Sequence, residues 1–286
     1  MPSQRPQCAD FLPSWCVGTQ CQAPWLRVIW PGNPRVRAVF TSCAGGVSRG
    51  AFACSQGADA EQASGGGGMN LGTHVGDARD LVTQNRERLQ HALGGARPCY
   101  LRQVHGVEVA DLDALTDLCA EPTADAACST RLRVAATVLV ADCLPVLFAA
   151  PNGRAVAAAH AGWRGLAGGV LEASLSRVCE RAGCAPSEVQ AVLGPAIGPL
   201  AFEVGEEVRA AFVSRHTNTA AAFQPGKPGK WWADIWQLAR LRLEHAGMQP
   251  GRIAGGGLCT VSNPQRFYSF RRQAVTGRQA GCIWVE

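Results

Sequence analysis

The chain is set to turn back on itself at Asn152-Gly153. Asn-Gly between two apolar runs is the strongest short-range signal for a β-hairpin. The flanking runs are Pro145 to Ala150 and Ala155 to His160. Folding about 152/153 without a bulge puts His160 opposite roughly Pro145, within two residues of Cys143. A thiol and an imidazole then meet near the open end of one hairpin. They supply half of a metal site or of a nucleophilic dyad.

The hairpin needs a core to rest on, and the flanking sequence provides one. Val134 to Ala141 is a nearly unbroken apolar run, as expected of a strand buried on both faces. Trp25 to Ile29 and Val36 to Thr41 read as strands around the turn Pro31-Gly32-Asn33-Pro34, and Val189 to Gly194 as another. Asp77 to Leu93 reads as a helix with Leu81, Val82, Leu89 and Leu93 on one side and Gly94-Gly95 as its stop. Gly168 to Ala182, Gly205 to His216 and Trp232 to His245 read as further helices, with Gln224 to Lys230 as a loop. Trp231, Trp232 and Trp236 have helical spacing and read as core. The predicted fold is α/β (α+β), a single layered domain over residues 25–286 with central mixed β-sheets flanked by helices. Residues 1–24 read as a tail, and 55–68 as a glycine-rich surface insertion.

Composition narrows the class of function. Hydrophobic residues make up 47% of the 286 and charged residues 17%, enough for a sizeable core. No run approaches the roughly 20 apolar residues of a membrane helix. The formal charge is +5 with dispersed basic residues, which argues against a nucleic-acid partner. A small anion such as phosphate needs only a local pocket. Thirteen cysteines without an export signal fit a reduced, cytoplasmic setting rather than a disulfide framework. Cys16/Cys21 and Cys179/Cys184, each five apart, lack zinc-ribbon spacing.

A third ligand is available in Arg102-Gln103-Val104-His105-Gly106, read as strand, polar tip and strand. His105, Cys143 and His160 are spread along the chain, as is common for catalytic zinc, and leave a fourth position for water or substrate. A metal-free Cys143/His160 hydrolase is the competing reading. Arg164 follows the second run between a strand and a helix, where an anion finds free N–H groups. Asp142 can carry a proton or orient a ligand imidazole, or accept backbone N–H bonds at a strand end.

The motifs Gly45-Gly46-Val47-Ser48, Asn70 to Asp77, Asn85-Arg86, Gln103 to Gly106, Ala141-Asp142-Cys143 and His160 to Gly165 occur in order. Leu193 to Gly198, Phe270-Arg271-Arg272 and Thr276-Gly277-Arg278 follow them. On these motifs the span from about Phe40 to Trp284 resembles the bacterial laccase-domain family. That family is also called polyphenol oxidase and more recently purine nucleoside phosphorylase. The resemblance implies that His105, Cys143 and His160 bind zinc, with copper possible in vitro. It implies phosphorolysis of adenosine, inosine, guanosine and methylthioadenosine, plus deamination of adenosine. Purine nucleoside and phosphate are then the partners, with the chain a monomer or weak homodimer. Asp142 and Asn70 become catalytic candidates, and Arg164, Gln103 and Arg271 substrate or phosphate ligands. The alternatives are a single-copper polyphenol oxidase and a degenerate regulatory protein. One departure stands out: Cys43 occupies the place of an expected active-site arginine, which Arg49, Arg164 or Arg271 would have to replace.

Overall fold

Two six-stranded sheets face each other across a shared apolar layer. The computed structural model describes residues 16–17, 25–30, 33–54 and 67–286. The rest of the predicted tail, Pro31-Gly32 of the first turn, and residues 55–66 of the glycine-rich insertion lie outside the described residues. The first sheet runs β1 (Cys16–Val17), β2 (Leu26–Ile29), β3 (Val36–Phe40), β17 (Gln279–Val285), β9 (Val134–Val140), β6 (Arg97–Cys99). The second runs β16 (Ile253–Gly255), β12 (Gln190–Leu193), β10 (Leu144–Ala149), β11 (Val156–Ala161), β8 (Ala126–Ser129), β7 (Val109–Asp111). Both are mixed: β6 with β9, β7 with β8 and β12 with β16 are parallel, and the other pairs antiparallel. Smaller sheets join β13 (Glu203–Gly205), β15 (Lys230–Ala233) and β14 (Phe223–Pro225), and β4 (Ala44–Gly46) with β5 (Gly67–Gly68).

The helices are α1 (Arg79–Ala92), α2 (Trp163–Gly168), α3 (Val170–Ala182), α4 (Glu206–Val213) and α5 (Ile235–His245). They cover the outer faces of the sheets, giving the order helix, sheet, sheet, helix. Every residue of β9, β10 and β11 is buried, as the apolar runs require. The period of two sorts their side chains. Leu147 and Ala149 of β10 face the other sheet, where they meet Val138 and Ile283. Val146 and Phe148 point outward to Leu171, Leu175 and Leu243 of α3 and α5. On the first sheet, Ala135 and Leu139 point outward to Leu89 of α1.

The hairpin has the predicted register: Pro145 pairs with His160 and no bulge interrupts the ladder. Its turn differs from an Asn-Gly type I′ turn, because Gly153 takes a positive φ and Asn152 does not. A four-residue loop, Pro151 to Arg154, closes it instead. Asn152 accepts from the Arg154 N–H and donates to the Ala182 carbonyl, pinning the loop to the end of α3.

Three element boundaries depart from expectation. The helix predicted from Trp232 begins at Ile235, where the Asp234 carboxylate caps it by accepting from the N–H groups of Trp236 and Gln237. Trp231 and Trp232 therefore lie on β15, which pairs with β14 across the stretch predicted as loop. The helix predicted from Gly168 begins at Val170, and Gly169, at φ 111°, separates it from an additional short helix, α2. The helix predicted to reach His216 stops at Val213.

Candidate metal centre

The two sheets meet where β9 crosses into β10 through Ala141-Asp142-Cys143. Asp142 makes this tight crossing at φ 89°, a region that non-glycine residues rarely occupy. Its surroundings hold it there. Its carboxylate accepts from the Thr260 hydroxyl at 2.6 Å and from the Arg271 N–H at 2.6 Å. Its carbonyl accepts from the Ile197 N–H at 2.9 Å.

The crossing delivers Cys143 to the end of β11, where His160 sits. His105 lies between two strands as predicted, but on a longer loop than expected, since β6 ends at Cys99 and β7 begins only at Val109. The ligand atoms of His105, Cys143 and His160 all lie within 4.8 Å of one another. His105 Nε2 is 3.7 Å from Cys143 Sγ, and the two imidazole rings meet edge-on at 75°. Among the described residues this is the group of three that could hold a metal ion. Two glycines permit the approach. A Cβ on Gly162 would stand 2.6 Å from the His105 ring and 3.1 Å from the Cys143 sulfur, and one on Gly165 would stand 2.7 Å from the Gly106 carbonyl.

Asp125, just before β8, ties the ligands together, and sequence reasoning missed it. Its carboxylate accepts from the N–H groups of Val104, His105 and Gly106 at 3.1, 2.8 and 2.6 Å. It also pairs with His160 Nδ1 at 2.8 Å, leaving Nε2 as the nitrogen free for a metal. The signal was a carboxylate entering the apolar run Ala126-Ala127-Cys128, because a buried charge must be paired.

The electrostatics follow from this packing. Burial opposes a charge on Cys143, but the His160 charge and the His105 and His160 hydrogen bonds outweigh it and bring the thiol to about 6. Burial works against His160 too, but Cys143 and Asp125 raise it to about 9. Asp125 is disfavoured by burial, yet its bonds to His160 and Gly106 hold it below the usual carboxylate range. Imidazolium and thiolate thus coexist near neutral pH in the metal-free site.

The other predicted residues are placed as follows. Gln103 donates to the Leu139 carbonyl and accepts from the Leu139 N–H, both at 2.8 Å, so its amide anchors the His105 loop to β9. Asn70 is fully buried; it accepts from the N–H groups of Gly72 and Arg278 and donates to Asp77. Arg164 is exposed and stacks on Trp163. Arg271 reaches the carbonyls of Ala201 and Glu203. Cys43 is buried with Cys54 and Tyr268, its thiol donating to the Gln265 carbonyl. The Arg272 charge is felt at the Cys43 thiol. Arg278, half-buried, feels the charges of both Cys143 and Asp142.

Known proteins resemble the chain along nearly its whole length. A purine nucleoside phosphorylase of Pseudomonas aeruginosa is 46% identical over 263 residues, 92% of this chain and 98% of its own. Purine nucleoside phosphorylase YfiH of Escherichia coli is 43% identical over 259 residues, 90% of this chain and 96% of its own. The crystal structure of Neisseria meningitidis protein NMB0706 superposes with a TM-score of 0.81 at 42% identity, over 92% of this chain and 99% of that one. Residues 37–286 match the family described as multi-copper polyphenol oxidoreductase laccase, and the chain belongs to that family.

Proposed function

We propose that the chain is a zinc-dependent purine nucleoside phosphorylase that also deaminates adenosine. The observation that carries this is the His105, Cys143, His160 triad on a chain 46% identical to a relative with a phosphorylase name. The donor set fits zinc: one thiolate already favoured at neutral pH and two imidazoles, one with its far nitrogen fixed by a carboxylate. When bound, zinc supplies Lewis acidity and makes a water acidic near neutral pH.

The chain's own residues supply the rest. Phosphorolysis forms a bond from a phosphate oxygen to the anomeric carbon and breaks the glycosidic bond, the base leaving with a proton. Bound phosphate needs cations held beside the sugar. Asn70 and Asp142 hold the backbone N–H groups of Arg278 and Arg271, so in this reading both candidate catalytic residues act by positioning arginines. Exposed Arg164 adds a third cation, and Gln103 fixes the His105 loop instead of touching substrate. Exposed Val104, Val107 and Phe270 lie on these same loops and offer an apolar face to the purine. The substrates in this reading are adenosine, inosine, guanosine and methylthioadenosine. Zinc-loaded protein given adenosine and phosphate yields ribose-1-phosphate with adenine, and inosine with ammonia. Absence of all these products at full zinc occupancy overturns the reading.

The family description favours a second reading, a copper oxidase of phenols. A multicopper cluster needs about ten histidines by ligand count. The chain has six, and two of them reach the site. A single copper on the same His₂Cys set is what remains, and oxygen uptake with a phenol on copper-loaded protein tests it.

A further inference from the structure

We propose that Asp125 is the positioning residue that assembles the metal centre before any ion arrives. Three observations combine. First, the N–H groups of Val104, His105 and Gly106 converge on one carboxylate. Successive backbone N–H groups pointing inward form an anion-binding concavity. Here the anion is internal. Second, His105 itself sits at φ 61°, a left-handed conformation with a steric cost for a residue bearing a Cβ. The carboxylate holds the backbone in that conformation and so aims the His105 ring at Cys143. Third, Asp125 grips His160 twice: its carbonyl accepts from the His160 N–H at 2.7 Å, and its carboxylate from Nδ1 at 2.8 Å.

One side chain therefore sets two of the three ligands. The ligands arrive from separate elements, with no covalent link to fix their spacing. Gly162 and Gly165 leave room for the His105 loop to approach. Asp125 is fully buried, and among the described residues His160 is the side chain its carboxylate bonds. Replacing the carboxylate by an amide turns one of its two oxygens into an NH2 donor, so either the Val104 and Gly106 N–H groups or the His105 N–H and His160 Nδ1 lose their acceptor.

Two measurements test this. The zinc dissociation constant is taken by competition with a chromophoric chelator, for the wild type and for Asp125→Asn. Nitrogen NMR of the histidine rings is recorded on the zinc-loaded wild type. Loss of a partner that orients a metal ligand weakens binding by roughly 10- to 100-fold. We expect that loss in Asp125→Asn, with the far-UV spectrum of the metal-free protein unchanged. We also expect His160 in the wild type to carry its proton on Nδ1, protected from exchange. A zinc affinity within about threefold of wild type overturns the proposal. So does a wild-type His160 that binds zinc through Nδ1, which decides the matter even if Asp125→Asn fails to fold. The inference rests on the triad being a metal centre. If that is wrong, the wild type itself binds no zinc, which is a separate outcome.

Discussion

His105 Nε2 stands 3.7 Å from the sulfur of Cys143, although the residues are 38 apart in sequence and belong to two separate connections between the same pair of sheets. The contact exists because β9 enters the second sheet through a strained Asp142, and because Gly162 leaves room for the His105 ring. The site is built on the seam between two rigid layers, which is where a preorganised ligand set is cheapest to hold.

Removal of a ligand separates chemistry from fold. Cys143→Ser and His160→Ala each lower zinc stoichiometry, measured by elemental analysis, and nucleoside turnover falls by more than about 100-fold given what loss of a mere supporting partner does. A chelator abolishes turnover while the far-UV spectrum persists, because the three main apolar clusters do not depend on the ion.

The metal-free protein has a reactive thiolate at unusually low pH. An acid whose folded pKa is lowered stays ionised above that value, so alkylation of Cys143 by iodoacetamide rises through pH about 6 rather than near 9. His160→Gln moves that midpoint upward. By linkage, the stability from Cys143 is lost as pH falls through about 6, and that from His160 is lost as pH rises through about 9. Between about pH 6.5 and 9 the Cys143 contribution grows while the His160 contribution shrinks, so the two offset each other and thermal unfolding of metal-free protein should stay nearly level across that window.

Asn85 tests a buried polar network. It accepts from the Val47 N–H and donates to Ser48, to the Gly68 carbonyl and to the Asn70 carbonyl. Asn85→Ala strands several of these groups and costs about 3 kcal/mol, read from denaturant unfolding. Turnover follows stability, with zinc affinity unchanged.

Phe270 is 55% exposed and directly precedes Arg271, whose N–H sits on Asp142. Phe270→Ala raises KM for adenosine up to about tenfold, the loss of one aromatic contact, and leaves kcat and zinc content in place.

The amino-acid sequence by itself determined the hairpin and the layer plan. The register of Pro145 on His160 follows from the period of two and the turn, both local properties. Unbroken apolar strands such as Val134–Val140 announce burial on both faces, hence a layer on each side. Side-chain chemistry made His105, Cys143 and His160 candidates, and the resemblance of their motifs to a known family made the triad legible. Tertiary structure alone decided what holds them. Asp125 meets His105 and His160 across 20 and 35 residues, and no spacing rule encodes such a contact. Asn70, Gln103 and Asp142 look like site residues in sequence, and each also bonds a group far along the chain: the Arg278 N–H, Leu139 on β9, and the Arg271 N–H with the Thr260 hydroxyl. Side-chain type shows which bonds a residue can make; which partner arrives first is settled only when the sheets pack and water is excluded.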